Sequence, residues 1–170
     1  MDFLSLVQAR YSCKAYTDTP IDDQQLAAVL EAGRLAPTAK NSQPQRIYVL
    51  KSSDALAKID EITPCRYGAP IVLIVCYDAD AVFHYPQSPK DSGAEDVAIV
   101  TTHMMLAAAN EGLGSCWINF FNPEQAQQIF DLPKQQVPVA LLDLGHAAAN
   151  GTPLKNHESR KPLSETVTYL

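Results

Sequence analysis

The sequence predicts a globular domain in which helices and strands alternate, and three observations support that prediction. The chain has 170 residues, of which 46% are hydrophobic and 19% charged, and this composition suits one packed core. Residues 71–77 are apolar at consecutive positions, which is typical of a strand buried on both faces. Residues 94–111 are apolar nearly all round a helix, which is typical of a helix buried on all sides. We therefore expect a single domain spanning residues 1–170.

The charge and the cysteines restrict the class of protein. The formal net charge is -6, from 13 Lys+Arg against 19 Asp+Glu, and this argues against a nucleic-acid partner, which would require a basic face. The most apolar stretch, residues 69–77, is too short to cross a membrane, and the first residues lack the apolar run of a secretory signal. The four cysteines lie far apart without metal-ligand spacing. We expect a cytoplasmic protein with reduced thiols and no metal.

The first half of the chain is predicted to hold three helices and two strands. The apolar spacing predicts helices over residues 3–10, 21–35 and 53–61. The predicted strands are 46–50 and 71–77. Pro37 ends the second helix, and residues 37–44 form a loop by composition. Residues 81–93 contain two prolines and a glycine, which indicates a surface excursion near the site.

The second half begins with the apolar helix 94–111. We expect its extra buried face, including Met104 and Ala108, to meet a second subunit; the alternative is a central helix wrapped by its own chain. The elements predicted after it are a strand over 115–118, a helix over 123–130 and a strand over 137–144. The polar residues from Gly151 onward form either a flexible tail or an arm laid over a neighbour.

Residues 10–14 are the first candidate for a binding site. Arg10 offers a bidentate fork, Ser12 a hydroxyl donor and Lys14 a point charge, and this combination suits a phosphate group. No glycine-rich motif of the kind that holds a dinucleotide or a triphosphate is present in the sequence. Taken alone, the pentapeptide is better explained as a solvated surface turn.

The loop 37–44 is the second candidate. Asn41 and Gln43 each carry amide donors and an acceptor, which suits the mixed edge of a planar heterocycle. The alternative, which the loop taken alone favours, is an ordinary loop rich in turn-forming residues.

Residues 112–118 are the third candidate. Gly112 and Gly114 allow a close approach of the backbone, and the strand that follows offers amide groups. The alternative is a helix end followed by Trp117 in the core. No histidine or acid is placed by the sequence to activate Cys116, so nucleophilic catalysis is not favoured.

Six segments, in order and at consistent spacing, resemble the nitroreductase family of flavoproteins in its short-chain form. They cover nearly the whole chain and read MDFLSLVQARYSCKAYTDTPI, LEAGRLAPTAKNSQPQRIYVL, YGAPIVLIV, DVAIVTTHMMLAAANEGLGSCWI, VPVALLDLGH and RKPLSETV. Each motif alone is of modest specificity, whereas the six together are strong evidence.

The resemblance implies an α+β fold with a mostly antiparallel central sheet flanked by helices. It also implies a homodimer, built on the long central helix and on swapped C-terminal arms, with FMN at the interface. NADH or NADPH would reduce the FMN, which would then reduce a nitroaromatic, a quinone or a related small acceptor in a ping-pong cycle. Because FMN carries the chemistry, no catalytic side chain is predicted.

The family pattern also implies a set of cofactor-binding residues. They are Arg10, Tyr11, Ser12, Lys14, Pro37, Thr38, Asn41, Gln43, Cys116, Trp117, Ile118, Arg160 and Lys161. By that pattern Arg10 and Ser12, with Arg160 or Lys161, would hold the phosphate, and Lys14 would lie near the N1–C2 edge of the flavin. The loop 37–44 would come from the other subunit, and the backbone of residues 116–118 would face N5.

Four positions depart from the family pattern. Tyr11 replaces the usual second arginine, Gln45 a tryptophan and Asn119 a glycine, and Gly145-His146-Ala147 replaces a GYP-like ending. These departures affect the fit of the substrate more than the phosphate positions. Two alternatives therefore stay open: a flavin-binding or sensory dimer without efficient turnover, and a structural dimer that has lost FMN.

Overall fold

The computed structural model describes residues 2–170, so Met1, the first residue of the predicted domain, lies outside the described residues. The helices are α1 (Phe3–Ala9), α2 (Asp23–Leu35), α3 (Ser53–Ile62), α4 (Gly93–Asn110), α5 (Pro123–Ile129) and α6 (Leu163–Thr166). The strands are β1 (Gln45–Leu50), β2 (Ile71–Asp78), β3 (Gly114–Ile118) and β4 (Gln136–Gly145). Each helix and strand predicted from the sequence is present, with ends shifted by at most two residues.

Local side-chain contacts explain where the helices begin. The carboxylate of Asp22 accepts from the N–H of Gln25, whose side chain in turn accepts from the N–H of Asp22, and this capping box starts α2. The hydroxyl of Ser52 caps α3. Asn122 caps α5, with Pro123 in its first turn, where a missing N–H costs nothing.

The four strands form one antiparallel sheet. Their order is β1-β2-β4-β3, and every neighbouring pair is antiparallel. The expected α+β architecture is confirmed. In β2 the residues Ile71–Cys76 are all buried, as their uninterrupted apolar run predicted. The strand β3 lies at an edge of the sheet, and this position matters for the site.

Helices cover both faces of the sheet. On one face α2 and α4 pack over a core that includes Leu73, Val75 and Leu142. On the other face α3 and α5 pack over Val72, Ile74 and Leu141. The side chains alternate between these two layers because successive residues of a strand point to opposite faces.

One face of α4 is left open within the single chain. Met104 and Ala108 are fully buried, with Met104 against Gly33 of α2, so they belong to the chain's own core and not to the face expected to meet a second subunit. The uncovered face is apolar around Ile99, which is 38% exposed. The prediction that the helix is buried on all sides therefore fails for one subunit alone, and burial of this face by a partner stays a prediction.

The segments outside the sheet lie at the surface. Residues 79–92 form the expected excursion and pack against the loop 37–44, with the Lys40 ammonium 4.7 Å from the centre of the Phe83 ring. After Gly151 the tail is exposed apart from His157, which is half-buried. Within residues 2–170, no helix has both the length and the apolar character needed to cross a membrane.

Candidate functional site

The segment that follows α1 runs beside the open edge of β3. The N–H of Cys13 donates to the carbonyl oxygen of Ser115 at 2.9 Å, and Ser12 and Ser115 form a parallel bridge. The Cys13 side chain is fully buried against Gly114, where an added Cβ would lie 2.9 Å from the Cys13 sulfur. A residue with a side chain at position 114 would therefore force the two segments apart.

A cavity of about 240 Å³ opens between this segment and β3. Its lining residues are Ser12, Lys14, Cys65, Tyr67, Cys116, Trp117, Ile118, Asn119, Phe120 and Leu154. The fold thus brings together two of the three segments singled out in the sequence, 10–14 and 112–118. Lys14 is exposed, and its ammonium lies 5.4 Å from the centre of the Tyr67 ring.

The backbone of β3 offers polar groups to this cavity. Ser115 directs its carbonyl oxygen to the open edge of the sheet, where Cys13 uses it. Alternate residues of a strand direct their N–H and C=O groups to the same side, so Trp117 is the next residue whose backbone points to that edge. The Trp117 side chain is half-buried, and its indole N–H donates to the side chain of Asn119 at 2.6 Å.

A second cavity, of about 180 Å³, lies near the end of α1 and is lined by Arg10, Tyr11, residues 112–115 and others. The buried hydroxyl oxygen of Ser115 has no hydrogen-bond partner among the described residues. The Tyr11 hydroxyl is already engaged, because it donates to the carbonyl oxygen of Gly151 at 2.6 Å. This hydrogen bond holds the start of the tail, at Gly151, against Tyr11.

The tail returns to the end of α1. A ring nitrogen of His157 lies 3.1 Å from the carbonyl oxygen of Gln8, and the His157 ring meets Tyr11 edge to face. Arg160 lines a cavity of about 390 Å³ with Gln8 and His157. Lys161 instead pairs with Glu165 of the tail at 3.5 Å. Of the two alternative basic residues, the fold places Arg160 near the segment 10–14.

The loop 37–44 is not brought to this site within one chain. The N–H of Ala39 donates to the Asp96 carboxylate at 2.8 Å, and this bond fixes the loop at the start of α4. The loop leads into β1, and β1 and β3 lie at opposite edges of the sheet, three strand spacings or roughly 14 Å apart. The lining residues of the cavity beside β3 include none from the loop 37–44. Pro37, Thr38, Asn41 and Gln43 therefore lie far from Lys14 of the same chain.

Burial and a neighbouring thiol raise the pKa values of two groups on the cavity floor. It raises the pKa of the Cys116 thiol to about 11, with a further contribution from Asp143 and an opposing one from Lys14. A hydrogen bond with Cys65, followed by burial, raises the pKa of Tyr67 to about 12. Both groups are neutral near pH 7, so Cys116 lacks the thiolate that a nucleophile needs.

Asp143 was missed in the sequence analysis. It lies on β4 directly opposite Cys116 of β3 and Val72 of β2, and it is only 1% exposed. Neither of its carboxyl oxygens accepts a hydrogen bond from any residue in the described range. Burial raises its pKa to about 9, although Arg66 acts in the opposite direction. The signal was available as a single acid within the apolar run VPVALLDLG.

Comparison with known proteins identifies the family. The sequence profile of the nitroreductase family matches residues 7–67 and 64–146 of the chain. The chain belongs to the nitroreductase family.

Nitroreductase relatives match along nearly the full length of the chain. A nitroreductase family protein from Clostridium difficile 630 is 38% identical and superposes with a TM-score of 0.93 over 99% of this chain and 98% of its own. A protein described as a nitroreductase from Desulfovibrio desulfuricans, crystallised in complex with FMN, is 27% identical with a TM-score of 0.80 and covers 98% and 95%. The Bacillus subtilis FMN reductase [NAD(P)H] is 28% identical over 177 residues, 94% of this chain and 71% of its own.

These similarities confirm the family predicted from the six sequence motifs and the α+β nitroreductase fold that it implies. They also support an oxidoreductase of this family.

Replacement of Asp143 by asparagine should change how the stability of this nitroreductase family member depends on pH. Aspartate in an unfolded chain ionises near pH 4, whereas folded Asp143 keeps its proton up to about pH 9. Between these values the folded state binds one proton more than the unfolded state. The free energy of unfolding of the wild type should therefore fall with rising pH, relative to Asp143→Asn, by up to about 1.4 kcal/mol per pH unit.

Denaturant unfolding of both proteins across that range measures the difference. Asp78→Asn serves as the control, since Asp78 is an aspartate at the far end of β2 that pairs with Arg46. Parallel stability curves for the wild type and Asp143→Asn would show that the buried carboxyl ionises in the ordinary range.

Proposed function

We propose that this protein is an FMN-dependent oxidoreductase that accepts hydride from NADH or NADPH and passes it to a small acceptor such as a nitroaromatic or a quinone. One observation carries the proposal: the cavity beside β3 brings the cation of Lys14 to an open strand edge, in a chain whose family includes proteins crystallised with FMN. When bound, FMN supplies the hydride chemistry, so the protein needs no reacting side chain.

The groups around the cavity fit a flavin ring. Lys14 provides a positive charge without a carboxylate partner within 4.0 Å in the described part of the chain. A cation beside the N1–C2 edge stabilises the negative charge of reduced flavin. The edge-directed backbone of Trp117 would donate to the flavin near N5, and the Tyr67 ring lies 5.4 Å from the Lys14 ammonium.

Arg10 and Arg160 are our candidates for the phosphate, together with Ser12. The Arg10 guanidinium lies 3.9 Å from the sulfur of Met105 and forms no ion pair with a described acid. Arg160 lies nearby through the contacts of His157 with α1. Arginine forks bind phosphate in a bidentate manner. Lys161 pairs with Glu165, and one guanidinium nitrogen of Arg160 donates to the carbonyl oxygens of His157 and Ser159.

We infer that a second copy of the chain completes the site. A cavity of about 240 Å³ is smaller than the roughly 300–1,000 Å³ of typical cofactor pockets. The polar loop with Thr38, Asn41 and Gln43 leads into β1, at the opposite edge of the sheet from β3, so we infer that a partner subunit supplies the missing wall. The uncovered apolar face of α4 around Ile99 gives that partner a surface to pack against.

The proposed mechanism is ping-pong. If one face of a bound flavin lay against β3, the nicotinamide and the acceptor would both have to use the other face and would therefore bind in turn. The residues of this chain position the ring and stabilise its charge.

Anaerobic reduction tests the proposed function. Purified protein should be yellow, with close to one FMN per chain, and should bleach when NADH or NADPH is added without oxygen. A nitroaromatic or a quinone should then restore the colour. Colourless protein that fails to take up added FMN would contradict the proposal, and yellow protein that neither nucleotide bleaches would indicate flavin binding without turnover.

Substitutions of Lys14 and Arg10 should have different effects if Lys14 binds the flavin ring and Arg10 binds the phosphate. Lys14→Met should lower the midpoint potential of bound FMN and slow reduction by NAD(P)H, because a cation about 4 Å from the ring is worth on the order of a few kcal/mol before solvent screening. Arg10→Ala should weaken the binding of oxidised and reduced FMN by the same factor, since the charge of the phosphate does not change on reduction. Redox titrations beside the wild type measure both. Equal potentials in Lys14→Met and the wild type would place Lys14 away from the ring.

Ile99→Glu should convert the dimer into folded monomers that bind FMN poorly. The two-fold axis of a dimer would bring two new carboxylates into an apolar interface. Ala27→Glu, at an exposed position of α2, is the matched control and should stay dimeric. Light scattering measures the mass, and circular dichroism confirms folding. Dimeric Ile99→Glu with full FMN would show that this face of α4 is not the interface.

A further inference from the structure

We propose that Asp143 is a positioning residue of the candidate FMN site. The site has its full affinity for FMN, and bound FMN its highest midpoint potential, only while the buried carboxyl carries its proton. This inference rests on the proposed function. It assigns a role to a group that the proposed chemistry leaves unused and that is only 1% exposed.

The position of Asp143 behind the cavity is the first observation. In the antiparallel register it lies opposite Cys116, and paired residues of neighbouring strands direct their side chains to the same face. Cys116 lines the cavity, as do Cys65 and Tyr67. Both belong to the covering segment, residues 64–67, which packs over this face of the sheet. Asp143 acts electrostatically on Cys116 and Tyr67, and Cys65 acts on Asp143. The carboxyl therefore lies just behind the cavity floor.

The lack of a partner for the carboxyl is the second observation. Both of its oxygens are buried without a hydrogen bond from the described residues. The nearby cation, Arg66, is committed elsewhere, because it donates to both carboxylate oxygens of Asp60, at 2.7 and 2.6 Å, and to the carbonyl oxygen of Ala69. An ionised Asp143 would thus be a buried negative charge without a dedicated counter-ion, which is costly.

Titratable groups on four neighbouring parts of the chain interact electrostatically with Asp143. They are Tyr16 before α2, Asp60 of α3, Cys65, Arg66 and Tyr67 of the covering segment, and Cys116 of β3. Arg66 alone is positively charged, and Asp60 opposes it. The cysteines and tyrosines are neutral near pH 7 or become negative when they ionise. The surroundings therefore favour the protonated form of Asp143, and burial raises its pKa to about 9.

The charge state of Asp143 bears directly on Lys14. Lys14 and Asp143 act in opposite directions on the same group, the Cys116 thiol, so both fields reach the cavity floor. While Asp143 is neutral, the positive charge of Lys14 acts on bound FMN without opposition from Asp143. Once Asp143 ionises, its negative charge offsets that of Lys14 and repels the reduced flavin, which is itself anionic.

The pH dependence of FMN binding and of its potential tests the inference. The dissociation constant and the midpoint potential of bound FMN should be measured from about pH 6 to pH 10, in the wild type and in Asp143→Asn, which mimics the neutral acid. The two proteins should agree below about pH 8. Above about pH 9 the wild type should lose affinity relative to the variant, by up to tenfold per pH unit, and its potential should fall further than that of the variant.

Two further variants complete the design. Asp143→Val removes the polar group altogether, should behave like Asp143→Asn, and covers the case in which an unpaired amide prevents folding. Asp78→Asn is the matched control and should follow the wild type, because Asp78 and Asp143 lie roughly 20 Å apart along the sheet.

The outcomes separate the inference from the function on which it rests. Divergence confined to alkaline pH, and abolished in both neutral variants, supports the role of Asp143. Coincident wild-type and variant curves with FMN bound would overturn that role and leave the proposed function standing. Failure of the wild type to bind FMN at any pH would overturn both.

Discussion

A parallel bridge between Ser12 and Ser115, which includes the hydrogen bond from the N–H of Cys13 to the carbonyl oxygen of Ser115, lays the segment 10–14 along the open edge of β3. The candidate site depends on this contact, because it fixes Ser12 and Lys14 on one side of the cavity and the backbone of Trp117 on the other. Gly114 permits the approach, since a larger residue would collide with Cys13. An edge strand usually has to be protected from other chains. Here part of the edge is paired with the chain's own segment, and the rest faces a cavity.

The same geometry determines which charges can act. Lys14 remains exposed above Tyr67, whereas Asp143 lies behind the floor of the cavity and receives no hydrogen bond from residues 2–170. A buried carboxyl in this position is tolerated only while it is protonated, since its nearby cation is held by Asp60. The site is therefore electropositive at neutral pH by virtue of one exposed lysine, although the protein as a whole carries a net charge of -6. Local placement of charge, and not the overall balance, suits the cavity to an anionic ligand.

The sequence predicted the elements well because their signals are local. The capping residues Asp22 and Ser52 and the unbroken apolar run of β2 can each be recognised without tertiary information. The family resemblance then supplied the mostly antiparallel α+β architecture, which no local pattern contains, whereas the strand order β1-β2-β4-β3 was not predicted. The faces of α4 were harder to predict, because an all-round apolar helix does not reveal which side its own sheet covers. Met104 was consequently expected at the interface and lies instead against Gly33.

The candidate site was predictable only in part, for a related reason. The segments 10–14 and 112–118 were each weak signals, and their convergence depends on a non-local contact between Cys13 and Ser115. Asp143 escaped notice because a lone acid in an apolar strand acquires meaning only when its neighbours across the sheet are known. A crystal structure of the protein with FMN tests the central claim most directly. The flavin ring is expected in the cavity beside β3, with the Lys14 ammonium at its N1–C2 edge and the backbone of Trp117 near N5. A flavin bound elsewhere, or a ring that Lys14 does not approach, would contradict this account.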